Sequence, residues 1–140
     1  MADRAEQAAG ELPIALVDGS NVAHSTEGEE ARLENIKLVV RKLIEEGYHP
    51  VVVADAALRH QIDDKDGYER RIEEGKIKQA PAGTDADYFL LSFARELEAV
   101  IVSNDLFRDR AEAFPEARER MIRYMIVADE VVFERRNRKR

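Results

Sequence analysis

The 140 residues suffice for one domain, and 44% hydrophobic with 36% charged residues is a composition that builds a core rather than a disordered chain. No cysteine is present, which excludes disulfides, thiolate zinc sites, iron–sulfur clusters and cysteine nucleophiles. The net charge of −7 argues against a uniformly basic nucleic-acid surface, although acids gather at expected strand ends and the last six residues, Arg135–Arg140, are basic except for Asn137.

Residues 1–11 read as a polar, alanine-rich leader without the apolar core of a signal peptide. No apolar run approaches the roughly 20 residues a membrane-spanning helix needs, so a soluble, cytoplasmic protein with no membrane partner is expected. Ile14-Ala15-Leu16-Val17 is a short, wholly apolar run closed by Asp18-Gly19-Ser20-Asn21, the pattern of a buried strand meeting a turn. Between Ala31 and Glu46, Ile36, Val39, Val40, Leu43 and Ile44 recur at helical spacing, and Gly47 ends the stretch. Val51–Ala54 is a second buried strand, ending at Asp55. Tyr68–Glu74 predicts a short helix, Ile77 a brief strand, and Pro81, Gly83 and Thr84 a loop. Asp85–Glu98 predicts a helix with Phe89, Leu90, Phe93, Ala94 and Leu97 on one face, and Thr84 with Asp87 fits a capping box. Val100-Ile101-Val102 is a third strand, closed by Ser103-Asn104-Asp105. A short helix is expected next, then the break at Pro115, then two β-rich pieces around Ala128-Asp129. Strand and helix alternate throughout, which predicts an α/β fold with a largely parallel sheet.

In an open parallel sheet, ligands bind beyond the carboxyl ends of the strands. Asp18, Asp55 and Asp105 each follow a strand directly, and Asp87 stands in the first turn of the helix that feeds the Val100 strand. Asp105 and Asp109 are four apart and share a face if a helix starts there, where like charges cost roughly 0.2–0.5 kcal/mol. Each acid alone has an ordinary reading as a turn, a cap or a solvated residue. Together they predict one location, and gathering them is unfavourable unless a cation offsets the repulsion. Oxygen ligands without thiolate or paired histidine favour Mg²⁺, with Mn²⁺ able to substitute. Arg59, Lys76, Lys78 and Arg108 are the candidate phosphate contacts near that edge, although any one of them reads first as an ordinary solvated charge; Arg108, inside the Asp105–Asp109 segment, is the best of them. Tyr88, Phe89 and Phe93 read as core residues rather than base-stacking ones.

The segments Asp18-Gly-Ser-Asn-Val-Ala23 and Val102-Ser-Asn-Asp-Leu-Phe-Arg-Asp109 resemble the NYN-type, PIN-like ribonuclease domain of the Regnase family, whose animal members carry a CCCH zinc finger. The similarity runs from Leu12 to Phe133, and the two motifs are specific in combination. The resemblance implies a PIN-like three-layer fold over residues 12–134, with a central, mostly parallel sheet flanked by helices; residues 135–140 would form a basic tail. It implies a metal-dependent endoribonuclease that hydrolyses single-stranded or loop RNA through Mg²⁺-activated water. Asp18, Asp87, Asp105 and Asp109 become the metal-site residues, and Asn21 joins them as the catalytic residue that positions water or phosphate. RNA is the implied partner, and related domains often self-associate, so a homodimer is an expectation. Three departures stand out: no zinc finger, Ala86 where the family often has an acid, and no Arg or Lys between Gln79 and Thr84. The alternatives are the PIN-type toxin of a toxin–antitoxin pair, whose first motif usually lacks Gly-Ser-Asn-Val-Ala, and a non-catalytic RNA-binding domain on the same fold.

Overall fold

The computed structural model describes residues 12–28 and 30–134; the leader and the basic tail named above lie outside them. The first apolar run forms β1 (Ile14–Asp18), and the motif that follows it folds at once into a single-turn helix, α1 (Gly19–Ala23). Gly19 is required there, because a Cβ would stand 3.0 Å from the Val53 carbonyl oxygen and 3.1 Å from a Val52 methyl. The helical stripe becomes α2 (Leu33–Glu45), with Ile36, Val39 and Leu43 buried. Its end is a Schellman turn: Gly47, at φ 92°, donates to the Ile44 carbonyl and Tyr48 to the Leu43 carbonyl, both at 3.0 Å. Ile44, expected on the buried stripe, is 58% exposed.

β2 (His49–Ala54) leads into α3 (Leu58–Gln61) and α4 (Lys65–Glu73). The latter starts three residues before the expected Tyr68, because the Asp64 side chain caps it by accepting from Gly67 N–H at 2.9 Å. β3 (Ile77–Gln79), α5 (Ala86–Leu97) and β4 (Val100–Val102) follow as anticipated. The helix expected after β4 is only one 3₁₀ turn, Arg108–Arg110. α6 (Ala117–Arg120) then leads into the hairpin β5 (Met121–Val127) and β6 (Glu130–Glu134), closed by Ala128 and Asp129, both at positive φ.

The six strands lie in the order β3-β2-β1-β4-β5-β6; all neighbours pair in parallel except β5 and β6. Alternation along β1 sends Ala15 and Val17 into the core beneath α2 and the hairpin, and Leu16 into the core beneath α5. The result is helix, sheet and helix in three layers, a doubly wound sheet. Chain order reverses between β1 and β4, which leaves a crevice at their carboxyl ends. The four strand-ending loops that matter open there.

Candidate active site

Asp18 ends β1 and is at once the N-cap of α1, its Oδ1 accepting from Asn21 N–H at 3.4 Å. The neighbouring strand contributes Ser103, a wholly buried hydroxyl that donates to Asp18 Oδ2 at 2.8 Å and accepts from Asp105 N–H at 3.0 Å. One serine thus couples the two acids across the switch point. Asp105 is oriented from its other side, Oδ1 accepting from Phe107 N–H at 2.8 Å. Asn21 reaches the same loop, its amide oxygen accepting from Asn104 N–H at 3.0 Å and from the Tyr124 hydroxyl at 2.6 Å. The end of α1 is pinned by the buried Asn35, whose amide donates to the Val22 and Ala23 carbonyls at 3.2 Å.

Asp18, Asp55, Asp87 and Asp105 line one open cleft of about 430 Å³, together with Ser20, Asn21, His24, Ser25 and Asn104. A smaller recess of about 50 Å³ adjoins it between Asp18, Asp55, Asp87 and Ala86. Ala86 therefore faces the cluster, and an acid there would enlarge it. Asp55, a strand-end acid left without a role in the motif comparison, belongs to the wall, and its Oδ1 accepts from Leu58 N–H at 3.0 Å.

The electrostatics are costly. Burial, with repulsion from Asp87 and Asp105, pushes the Asp18 carboxyl up to about 6 against the lowering effect of Ser103 and Asn21. Burial also raises Asp87, helped by Asp105, Asp85 and Asp55 and opposed by Arg110. Acids held above their ordinary range in a cleft are the arrangement a cation would relieve. The acids offer oxygen donors, which suit a hard divalent ion, while the one imidazole in the lining, His24, has its Nδ1 2.9 Å from the Ser20 carbonyl oxygen. No group of three or more carboxylates or histidines among the described residues stands ready to hold an ion as it is.

Asp109 is not among the cleft residues. Phe107 adopts a left-handed conformation (φ 53°), so no helix runs from Asp105 and the two acids share no face; Asp109 is exposed. Nor do Thr84 and Asp87 form a capping box: Asp85 is the N-cap, accepting from Asp87 and Tyr88 N–H at 3.1 and 3.2 Å, while Thr84 donates to the Pro81 carbonyl at 2.6 Å. Tyr88 is 52% exposed, its ring edge-on to Phe114, whereas Phe89 and Phe93 pack against the core.

The expected cations do not line the cleft. Arg59 is held by Glu69 in a two-pronged pair at 2.9 and 2.6 Å. Lys76 precedes β3, at the opposite edge of the sheet, and pairs with Glu74 at 3.3 Å; Lys78 lines a groove on that side. Arg108 is exposed on the 3₁₀ turn. Among the described residues it is Arg110 that bears on the acids, salt-bridged to Asp85 and close enough to favour ionised Asp87. Its only sequence signal is its place one residue beyond the second motif.

A doubly wound, mostly parallel sheet with carboxylates at its switch point is the arrangement of a PIN-like α/β fold. Residues 11–140 match the sequence pattern of the Zc3h12a-like ribonuclease NYN domain, and the chain belongs to that family of ribonuclease domains. Its fold is similar to that of nuclear proteinaceous RNase P 2 from Arabidopsis thaliana, at a TM-score of 0.72 and 23% identity over 89% of this chain and 30% of that one. A second structure of that RNase P 2 matches at a TM-score of 0.69 and 23% identity over 86% and 29%. The chain thus spans less than a third of the length of these structural neighbours.

Proposed function

We propose that the chain is a metal-dependent endoribonuclease that hydrolyses phosphodiester bonds of single-stranded or loop RNA in the cleft between β1 and β4. The observation that carries this reading is the gathering of Asp18 and Asp87, both raised by burial, with the neighbouring charge of Asp105 around one polar opening. A merely structural domain gains nothing from that repulsion.

Asp18, Asp87 and Asp105 are the residues that would hold the ion, Mg²⁺ or Mn²⁺. When bound, a divalent ion stabilises charge developing on a phosphate oxygen and makes water a better nucleophile near neutral pH. Ser103 and Phe107 N–H keep the Asp18 and Asp105 carboxylates in fixed orientation, so little reorganisation accompanies binding. Asn21 and Ser20 add polar groups to a wall otherwise rich in acceptors. Arg110, released from Asp85, would offer a cation beside Asp87 to the RNA backbone.

The test is cleavage of an end-labelled single-stranded RNA with Mg²⁺, with and without EDTA, beside Asp18→Asn and Asp105→Asn. Internal cuts that disappear with EDTA and with either substitution are expected. Cutting indifferent to all three would place the chemistry elsewhere, and binding without cutting in any divalent ion would favour a non-catalytic RNA-binding domain.

A further inference from the structure

We propose that Tyr124 is a positioning residue of the cleft: with Asn104 N–H, its hydroxyl turns the Asn21 amide so that the NH₂ group faces the opening as a donor for a phosphate oxygen. This rests on the ribonuclease reading above and goes beyond it by assigning a role to a residue outside both motifs.

The orientation of Asn21 follows from donor chemistry. A backbone N–H can only donate, so the Asn21 atom 3.0 Å from Asn104 N is the amide oxygen. The Tyr124 hydroxyl, 2.6 Å from that same oxygen, supplies the second donor. Both lone pairs are then used, and the amide nitrogen makes no hydrogen bond among the described residues. It belongs to a side chain that lines the cleft, where Asp18, Asp55, Asp87 and Asp105 present acceptors only. A phosphate oxygen entering there needs donors, and Asn21 holds one ready.

Tyr124 is built for this. It sits on β5 opposite Phe133, 5% exposed, out of reach of a substrate. Its backbone is clasped by the Asn104 side chain in both directions: Tyr124 N–H donates to Asn104 Oδ1 at 3.1 Å, and Asn104 Nδ2 donates to the Tyr124 carbonyl at 3.0 Å. Asn104 therefore ties β5 to the loop after β4 through its side chain and holds Asn21 through its backbone. The phenol closes the triangle. Removing its hydroxyl leaves the amide on one donor, so Asn21 loosens rather than inverts.

The experiment is a double-mutant cycle in the full chain, with Tyr124→Phe, Asn21→Ala and the pair, read as kcat and KM on a labelled single-stranded RNA with Mg²⁺. Tyr124→Phe is expected to lower kcat/KM about five- to tenfold, Asn21→Ala further, and the pair no more than Asn21→Ala alone. Losses that multiply, or a Tyr124→Phe enzyme equal to wild type, would overturn the assignment. Absence of cleavage by the wild type would sink the ribonuclease reading instead. The positioning role is then read by ¹⁵N NMR of the Asn21 side-chain amide with the same RNA and Ca²⁺. RNA should move that resonance in wild type and move it less in Tyr124→Phe. A resonance indifferent to RNA in the wild type overturns the proposal, however the variants fold.

Discussion

At the carboxyl ends of its strands the molecule gathers Asp18, Asp55, Asp87 and Asp105 around a polar cleft. At the amino ends of β2 and β3 it carries an apolar groove of about 770 Å³, walled by Val40, Ile44, Tyr48 and Ile77, with Lys76 and Lys78 at its margin. The two edges share one sheet, yet the acids stand where they repel one another and the lysines where they cannot relieve them, Lys76 pairing with Glu74 instead. The parallel topology explains the division, since the loops that follow β1 to β5 open on one side and the loops that lead into those five strands open on the other. The proposed chemistry lies at the acidic edge, and the opposite edge joins apolar side chains to Lys37, Arg41 and Arg71 as well as the two lysines.

The largest effect that separates the edges is on turnover. Asp105→Ala should lower kcat/KM by on the order of 10²–10³-fold, as loss of a preorganised charge in an active site does. Lys76→Ala and Lys78→Ala should each stay within about twofold of wild type. Kinetics of all three on one labelled RNA make the comparison, and a tenfold loss in either lysine variant would break it.

The cleft should also be a source of instability in the metal-free protein. An unfolded aspartate titrates near 3.8, whereas Asp18 in the folded chain titrates near 6. The folded state therefore holds the extra proton between those values, and stability falls as pH rises through that window and stays lower above it. The full shift corresponds to roughly 3 kcal/mol, and because Asp18 keeps some contact with solvent about half of that is expected. Asp18→Asn should thus be more stable than wild type by about 1–2 kcal/mol at pH 7.5 in EDTA, with no advantage near pH 3.5. Thermal melts at both pH values check this. Saturating Mg²⁺ should raise the wild-type melting temperature and leave that of the variant unmoved.

A smaller effect is expected at Arg110. Replacing it with Gln removes the cation that favours ionised Asp87, so the Asp87 carboxyl should titrate higher still. The acidic limb of the pH–rate profile should move to higher pH while the rate on the alkaline plateau changes by only a few-fold. Carboxyl-carbon NMR of the apoprotein reads the same shift without turnover, and an unmoved Asp87 would remove Arg110 from the site.

Much of this was legible from residue order because the signals were local. Apolar runs of three or four residues closed by Asp, directly in β1 and β2 and after Ser103-Asn104 in β4, marked these strands, and in a parallel sheet that pattern also predicts where Asp18, Asp55 and Asp105 go. Asp87 was legible from its place in the first turn of α5. Other contributions were hidden by distance along the chain: Ser103 lies 85 residues from Asp18, and Tyr124 lies 103 from Asn21. No periodicity announces such a bond. The lysines were misjudged because a three-residue strand gives little warning of which edge its flanking residues reach.

Asp109 shows the limit most sharply and carries the smallest expected effect. Spacing of four from Asp105 implied a shared helical face, and the family motif implied a metal role. Phe107 at φ 53° interrupts any helix between them, and its buried ring holds the chain in that turn. Asp109 is left exposed, outside the residues that line the cleft, while the next residue, Arg110, turns toward Asp85. If the static arrangement governs, Asp109→Asn should change kcat/KM by less than about twofold and leave the Mg²⁺ concentration for half-maximal activity unchanged. If the turn rearranges when an ion binds, the variant should need markedly more Mg²⁺. A Mg²⁺ titration of wild type and variant on the same RNA decides between a second motif that acts through Asp105 alone and one that closes on the ion from both ends.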